Sequence, residues 1–119
     1  MKIVAKTDVG MVRESNQDSY TTGELPNGVA WAVVCDGMGG AAGGNVASST
    51  AVKVIAEQIT SSFRPGMSAN SIKNMMVSAI NAANISVYDI SCSNSELYGM
   101  GTTVVCAIVM AVSYTHLRA

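Results

Sequence analysis

The sequence predicts an α+β fold in which strands come first, two consecutive helices follow, and a further strand closes the pattern. Three observations predict it. Residues 29–35 form a continuous apolar run, ended abruptly by a glycine-rich stretch. Apolar residues then recur every three or four positions, first at Val52, Ile55, Ile59 and Phe63, and again at Ile72, Met76, Ile80, Ala83, Val87 and Ile90. Residues 104–112 are a second apolar run of strand length. Two helical periods in succession set the chain apart from an alternating βαβ pattern.

Taken in order, residues 2–7 alternate weakly and predict a first strand, and the polar residues 8–17 predict a loop. Residues 18–22 predict a short strand, and Pro26-Asn27-Gly28 is a turn signal. The run 29–35 predicts a strand buried on both faces, because nothing polar interrupts it. Residues 36–44 carry too many glycines for either regular element. The first helix is predicted from about Asn45 and ends at Arg64-Pro65-Gly66; the second ends at Ser93-Asn94-Ser95. Gly99-Met100-Gly101-Thr102-Thr103 then leads into the last strand.

Composition narrows the function classes. The 119 residues are 49% hydrophobic and 13% charged, which predicts a folded domain and excludes a disordered tail. With one Trp, one Phe and eight Met, the core must be built from small and flexible side chains. Seven basic and eight acidic residues give a net charge of −1 with no basic patch, so nucleic acid is not an expected partner. No run reaches the roughly 18–20 apolar residues of a membrane span, and no leader-like segment opens the chain. Cys35, Cys92 and Cys106 have neither CxxC spacing nor histidine neighbours, which predicts reduced thiols in a cytoplasmic protein.

The chemistry concentrates at Asp36. An apolar strand delivers its carboxylate to a glycine loop, a costly placement unless the charge is paired or bound to a metal. Gly37 lets the backbone approach closely, so its carbonyl is a candidate second oxygen ligand. A further carboxylate, Asp18, lies in Ser15-Asn16-Gln17-Asp18-Ser19. Oxygen donors without a Cys/His cluster suit hard cations such as Mg²⁺ or Mn²⁺. Taken singly, Asp36 also fits a cap at a strand-to-helix turn, and Asp18 a turn residue. Gly37, Gly39 and Ala42 match the spacing of a dinucleotide-binding fingerprint. Against it, Asp36 would repel a pyrophosphate, and a second helix stands where that fold requires a strand.

Three blocks in this order resemble the PP2C family of protein serine/threonine phosphatases, in particular its compact bacterial members. They are Thr7-Asp8-Val9-Gly10-Met11-Val12-Arg13-Glu14-Ser15-Asn16-Gln17-Asp18, then Val33-Val34-Cys35-Asp36-Gly37-Met38-Gly39-Gly40, then Gly99-Met100-Gly101-Thr102-Thr103. The resemblance implies an αββα sandwich, of which residues 1–112 supply only the N-terminal half. It implies that Asp36 bridges two Mn²⁺ or Mg²⁺ ions with the Gly37 carbonyl facing one of them, and that Asp18 holds the second, directly or through water. Arg13 would bind the substrate phosphate, a role suited to a planar guanidinium. Phosphoserine and phosphothreonine on proteins would be hydrolysed by a metal-activated water without a phosphoenzyme, opposing a Ser/Thr kinase.

The family's later metal-binding aspartates have no counterpart here, so the chain alone is expected to be an incomplete, inactive fragment. The alternative implied by the same resemblance is a PP2C-like regulatory or binding module without catalysis. A narrower one is a phosphatase of a sigma-factor pathway. Residues 113–119 abandon the apolar pattern without a turn signal and resemble a translated sequencing adapter, so they are expected to be a non-native tail, with His116 meaningless.

Overall fold

The computed structural model of the chain describes residues 18–38 and 40–109, with the side chains of 40–42 left aside. The elements run β1 (Asp18–Leu25), β2 (Val29–Met38), α1 (Gly40–Ser62), α2 (Ala69–Ser93) and β3 (Gly101–Val109). The α+β expectation therefore holds: one antiparallel sheet in the order β1-β2-β3, with two consecutive helices inserted between β2 and β3. It is one sheet layer and one helical layer of the expected sandwich. The predicted strand at 2–7, the loop at 8–17 and the tail at 113–119 lie outside the described residues.

β1 and β2 form a hairpin because Pro26-Asn27-Gly28 turns the chain within three residues. Asn27 and Gly28 both take positive φ, 65° and 73°, the left-handed region that Gly and Asn tolerate best. The turn fixes a register in which Leu25 faces Val29 and every residue back to Asp18 faces its partner up to Asp36. Near the hairpin, Gly23 is opposite Trp31, and a Cβ added at Gly23 would lie 2.7 Å from the indole ring. The ring fills the space a side chain would need, so Gly23→Ala forces one of the two strands to shift.

The core lies between the sheet and the helices. Val29, Trp31, Val33 and Cys35 alternate along β2 and pack with Ala47, Ala51, Ile55 and Ile59 of α1. The α1 stripe expected from the sequence is the one observed: Val52, Ile55, Ile59 and Phe63 are all buried. α2 starts on Ser68, whose hydroxyl accepts from the Ser71 amide at 3.1 Å, an N-cap that satisfies one otherwise unpaired N–H.

Three expectations need correction. The strand 29–35 is covered on one face only, since Val34 is 46% exposed while its neighbours Val33 and Cys35 are sealed. Of residues 36–44, those described, 36–38 and 40–44, are regular. β2 continues through Gly37 and Met38, where Thr102 and Gly101 supply ladder partners, and α1 begins at Gly40. Of the expected α2 face, Ile72, Ala83 and Val87 are buried and Met76 and Ile90 pack partly against the core, but Met75, Ala79 and Ser91 are also buried and Ile80 is 37% exposed, so the face is turned slightly from the expected one. Small Ala and Ser side chains admit the close approach to α1 that bulkier residues would block.

Candidate metal centre

Register places the acidic residues. Asp18 is the first residue of β1 and pairs directly with Asp36, which pairs on its other side with Thr103 of β3. Directly opposed residues of an antiparallel pair project to the same face, with Cα atoms about 4.5–5.5 Å apart. One row across the sheet therefore reads Asp18, Asp36, Thr103. Side chains alternate along β2, so this row lies on the face away from the helices, beyond Tyr20, Val34 and Val105. Asp18 and Asp36 are both half-buried and Thr103 is exposed. The Thr103 hydroxyl makes a long contact, 3.5 Å, with the Asp36 carbonyl oxygen.

Taken singly, Asp18 and Asp36 are separate candidates 18 positions apart, and only the family resemblance implies that they serve one metal centre. The sheet brings them together. Two carboxylates directly opposed on one face repel each other, and a divalent cation between them turns that repulsion into attraction. The donor set fits a hard cation. It consists of carboxylate oxygens, with the Gly37 backbone next along β2, and Mg²⁺ is commonly held by one or two carboxylates plus waters. Among the described residues no group of three or more His, Cys, Asp or Glu converges, so the described site holds two carboxylates and no third side-chain ligand of those types. Arg13 lies outside the described residues.

The sequence reading puts Thr102 and Thr103 together at the start of a strand beside the metal centre; register singles out Thr103 as the member of the aspartate row. Thr102, one position earlier, projects to the other face, on the side of the Cys35 thiol, and its hydroxyl donates to the Thr103 carbonyl at 2.9 Å.

The thiols stand apart from the carboxylates. Cys35 precedes Asp36 and so points into the core, where burial pushes its pKa up to about 11; the Thr102 hydrogen bond acts in the opposite direction, and neighbouring Cys106 adds a smaller increase. Burial likewise raises Cys106. Both stay protonated at neutral pH, which makes them poor nucleophiles and poor ligands. Their character as core residues agrees with the sequence reading of Cys35.

A second concavity, of about 330 Å³, lies between α2 and β3 and is lined by Ile80, Asn84, Val87, Tyr88, Met100 and Val104 among others. It opens on the helical side of the sheet, away from the aspartate row. It brings no carboxylate to the site.

Comparison with known proteins bears on this arrangement. The profile of the family described as Protein phosphatase 2C matches residues 12–117. A Streptococcus pyogenes protein named as of protein phosphatase 2C type is 32% identical over 98% of this chain and 47% of its own length. The serine/threonine phosphatase stp of Listeria monocytogenes is 33% identical over 87% of this chain and 41% of its own. Among solved structures, the S. agalactiae serine/threonine phosphatase superposes with a TM-score of 0.78 at 28% identity, covering 89% of this chain and 43% of that one. The Mycobacterium tuberculosis serine/threonine phosphatase PstP/Ppp gives a TM-score of 0.71 at 29% identity, covering 89% of this chain and 41% of that one. The chain thus spans under half the length of the relatives it matches.

Proposed function

The chain belongs to the protein phosphatase 2C family, and from that premise we propose that it is the metal-binding sheet and helical layer of a protein serine/threonine phosphatase. The observation that carries this reading is the row Asp18–Asp36–Thr103, set by register on one face of the sheet. Asp36, between two neighbouring strands, would be the central ligand, and Asp18 and the Gly37 carbonyl would complete what this chain offers to Mn²⁺ or Mg²⁺ ions. Bound there, the ions supply Lewis acidity toward phosphate oxygens and an activated water at neutral pH.

The chain's own residues do the rest of what is assigned to them. Asp36 and Asp18 hold negative charge where cations must sit, on strands rather than loops, so their spacing is fixed by the ladder. Thr103 offers a hydroxyl at the end of the row for hydrogen bonding to water or substrate. Arg13 binds the phosphate of phosphoserine or phosphothreonine in a protein substrate, and Ser/Thr kinases are the enzymes such a phosphatase opposes. We assign the activity to the cytoplasm. Residues 1–112 form the part of the phosphatase domain present here, and 113–119 its non-native tail. The chain by itself lacks a complete set of ligands and is inactive. The binding-only alternative draws no support from the relatives, which are named as phosphatases.

The test uses a chain of the relatives' full length that carries these residues, assayed for phosphate release from a phosphothreonine peptide with and without Mn²⁺. Turnover that requires Mn²⁺ and disappears in Asp36→Ala supports the reading. Undiminished turnover in Asp36→Ala overturns it.

A further inference from the structure

The strand that carries Asp18 is poorly anchored by hydrophobic contact. The residues that β1 turns toward the helices are Ser19, Thr21, Gly23 and Leu25, so Leu25 is the only large apolar side chain among them. Leu25 and Gly23 sit next to the hairpin turn, at the end remote from Asp18. A slip of one residue would move Asp18 from the open face to the helical face. Hydrophobic patterning resists that slip weakly at the Asp18 end.

A polar contact stands at that end instead. Ser48 of α1 is sealed from solvent, in the same helical stretch as Ala47 and Ala51. Its Oγ lies 3.0 Å from the Oγ of Ser19, the residue next to Asp18. It also reaches the Asn45 carbonyl at 3.4 Å, the contact a helical serine makes with its own turn. A buried hydroxyl in an apolar helix face is less favourable than alanine for both helix propensity and desolvation. Its cross-element partner is on the strand whose position matters most to the aspartate row.

We propose that the Ser48–Ser19 hydrogen bond is a latch that sets the position of Asp18 opposite Asp36, making both serines positioning residues for the metal site. The proposal rests on the metal reading given above. α1 is fixed to β2 by the core; through Ser48 it holds β1 at the level where Asp18 completes the row. Loss of the latch loosens the start of β1 and leaves Asp36, on the central strand, in place.

The experiment is a titration with MnCl₂ of a chain of the relatives' full length that carries these residues, followed by paramagnetic broadening of assigned backbone amide resonances, with metal-free amide exchange and thermal unfolding measured in parallel. In the wild-type chain, Asp18, Ser19, Asp36 and Gly37 are expected to broaden together. In Ser48→Ala, the Mn²⁺ midpoint of the whole set rises about tenfold, in the range found for residues that orient metal ligands, and metal-free amide hydrogen exchange quickens at Asp18 and Ser19 but not at Asp36 and Gly37. Ser19→Ala, on a half-buried edge position, gives the same pattern and guards against misfolding of the helix variant. The double variant is less damaging than the sum of the two single ones, as for residues that share a contact. Ser49→Ala, whose hydroxyl bonds only within its own helix turn, behaves as wild type. An unchanged Mn²⁺ midpoint and unchanged amide exchange at Asp18 in both single variants overturn the latch and leave the metal reading intact. Absence of broadening in the wild type overturns the metal reading, and the latch with it.

Discussion

On the helical side of the sheet, Val33 and Cys35 are wholly sealed from solvent, while Val34, between them in the chain, is 46% exposed on the opposite side. The two faces of this one sheet do different work. The covered face is a ladder of Val29, Trp31, Val33 and Cys35 against α1, with Val104, Cys106 and Ile108 of β3 packed at its margin. The other face carries Tyr20, Val34, Val105 and Val109, all exposed, and ends in the row of Asp18, Asp36 and Thr103. Cohesion and chemistry are separated by a single step of the strand. That step lets a residue such as Asp36 be costly for folding without lying in the core that supports it.

The separation is broken most forcefully from the covered side. Ile55 is sealed at the centre of α1 and packs in the cluster that joins helix to sheet. Ile55→Ala is expected to destabilise by about 2–5 kcal/mol, the transfer loss plus the cavity. Chemical denaturation of the two chains measures it, and a midpoint within error of wild type would show that the helical layer is not what holds the sheet.

The next largest effect belongs to the open face and has the opposite character. Asp36→Ala removes at least about 100-fold of Mn²⁺-dependent phosphatase activity in a chain of the relatives' length, as expected for loss of a ligand when even outer-shell changes cost 10–100-fold. Without metal the same substitution changes stability far less than Ile55→Ala, since Asp36 lies on the uncovered face and leaves no cavity in the core. A metal-free loss of stability comparable to that of Ile55→Ala would place Asp36 in the structural class and dissolve the distinction between faces.

The degree to which these faces could be read from sequence depends on what each periodicity encodes. The stripe Val52, Ile55, Ile59, Phe63 was legible because large apolar residues stand at helical spacing among polar ones. The α2 stripe was misplaced by one position at Met75 and Ala79 because adjacent methionines and alanines satisfy either phase. Covering of residues 29–35 on both faces was expected from a continuous apolar run, yet Ala30, Ala32 and Val34 are apolar without belonging to the helix-packed ladder. An apolar run records that a strand tolerates burial on each side, not which side a helix occupies. Asp36 was legible as a site because glycines follow it. Its partnership with Asp18, and the nearness of Thr103, came from family resemblance and not from the residues themselves, since register arises from the Asn27-Gly28 turn and pairing between distant segments. Arg13 falls outside the described residues and remains an assignment by family motif.

A pH titration sharpens the comparison through the thiols. Burial raises Cys35 to about 11 in the folded chain, against about 8.5 for an exposed thiol. The unfolded chain therefore releases its proton first as pH rises. Stability from this group is fully present below about pH 8.5 and is lost progressively as the pH climbs through about 11. The loss is on the order of 3 kcal/mol. Urea midpoints between pH 8 and 11 measure it, and Cys35→Ala flattens the decline. An equal slope in that variant would assign the effect elsewhere. Over the same range Cys92, exposed near the end of α2, is alkylated by iodoacetamide before Cys35.

The smallest effect is the most discriminating for the open face. Val105 is 66% exposed and pairs with Val34, itself on the uncovered side. Val105→Thr nearly preserves shape and β-propensity while exchanging a methyl for a hydroxyl. In this chain it is expected to change stability by less than about 0.5 kcal/mol, as for a surface position. In a chain of the relatives' full length, the second sheet of the proposed sandwich covers Val105. The same substitution then costs about 1–3 kcal/mol, because the hydroxyl is buried without an assured partner. Paired denaturation curves of the two lengths give the difference directly. Equal, small effects in both would mean that the open face stays open and that the second layer packs elsewhere. A large effect only in the longer chain would mean that Tyr20, Val34, Val105 and Val109 are core residues awaiting their other half, with the aspartate row at the rim of that buried seam.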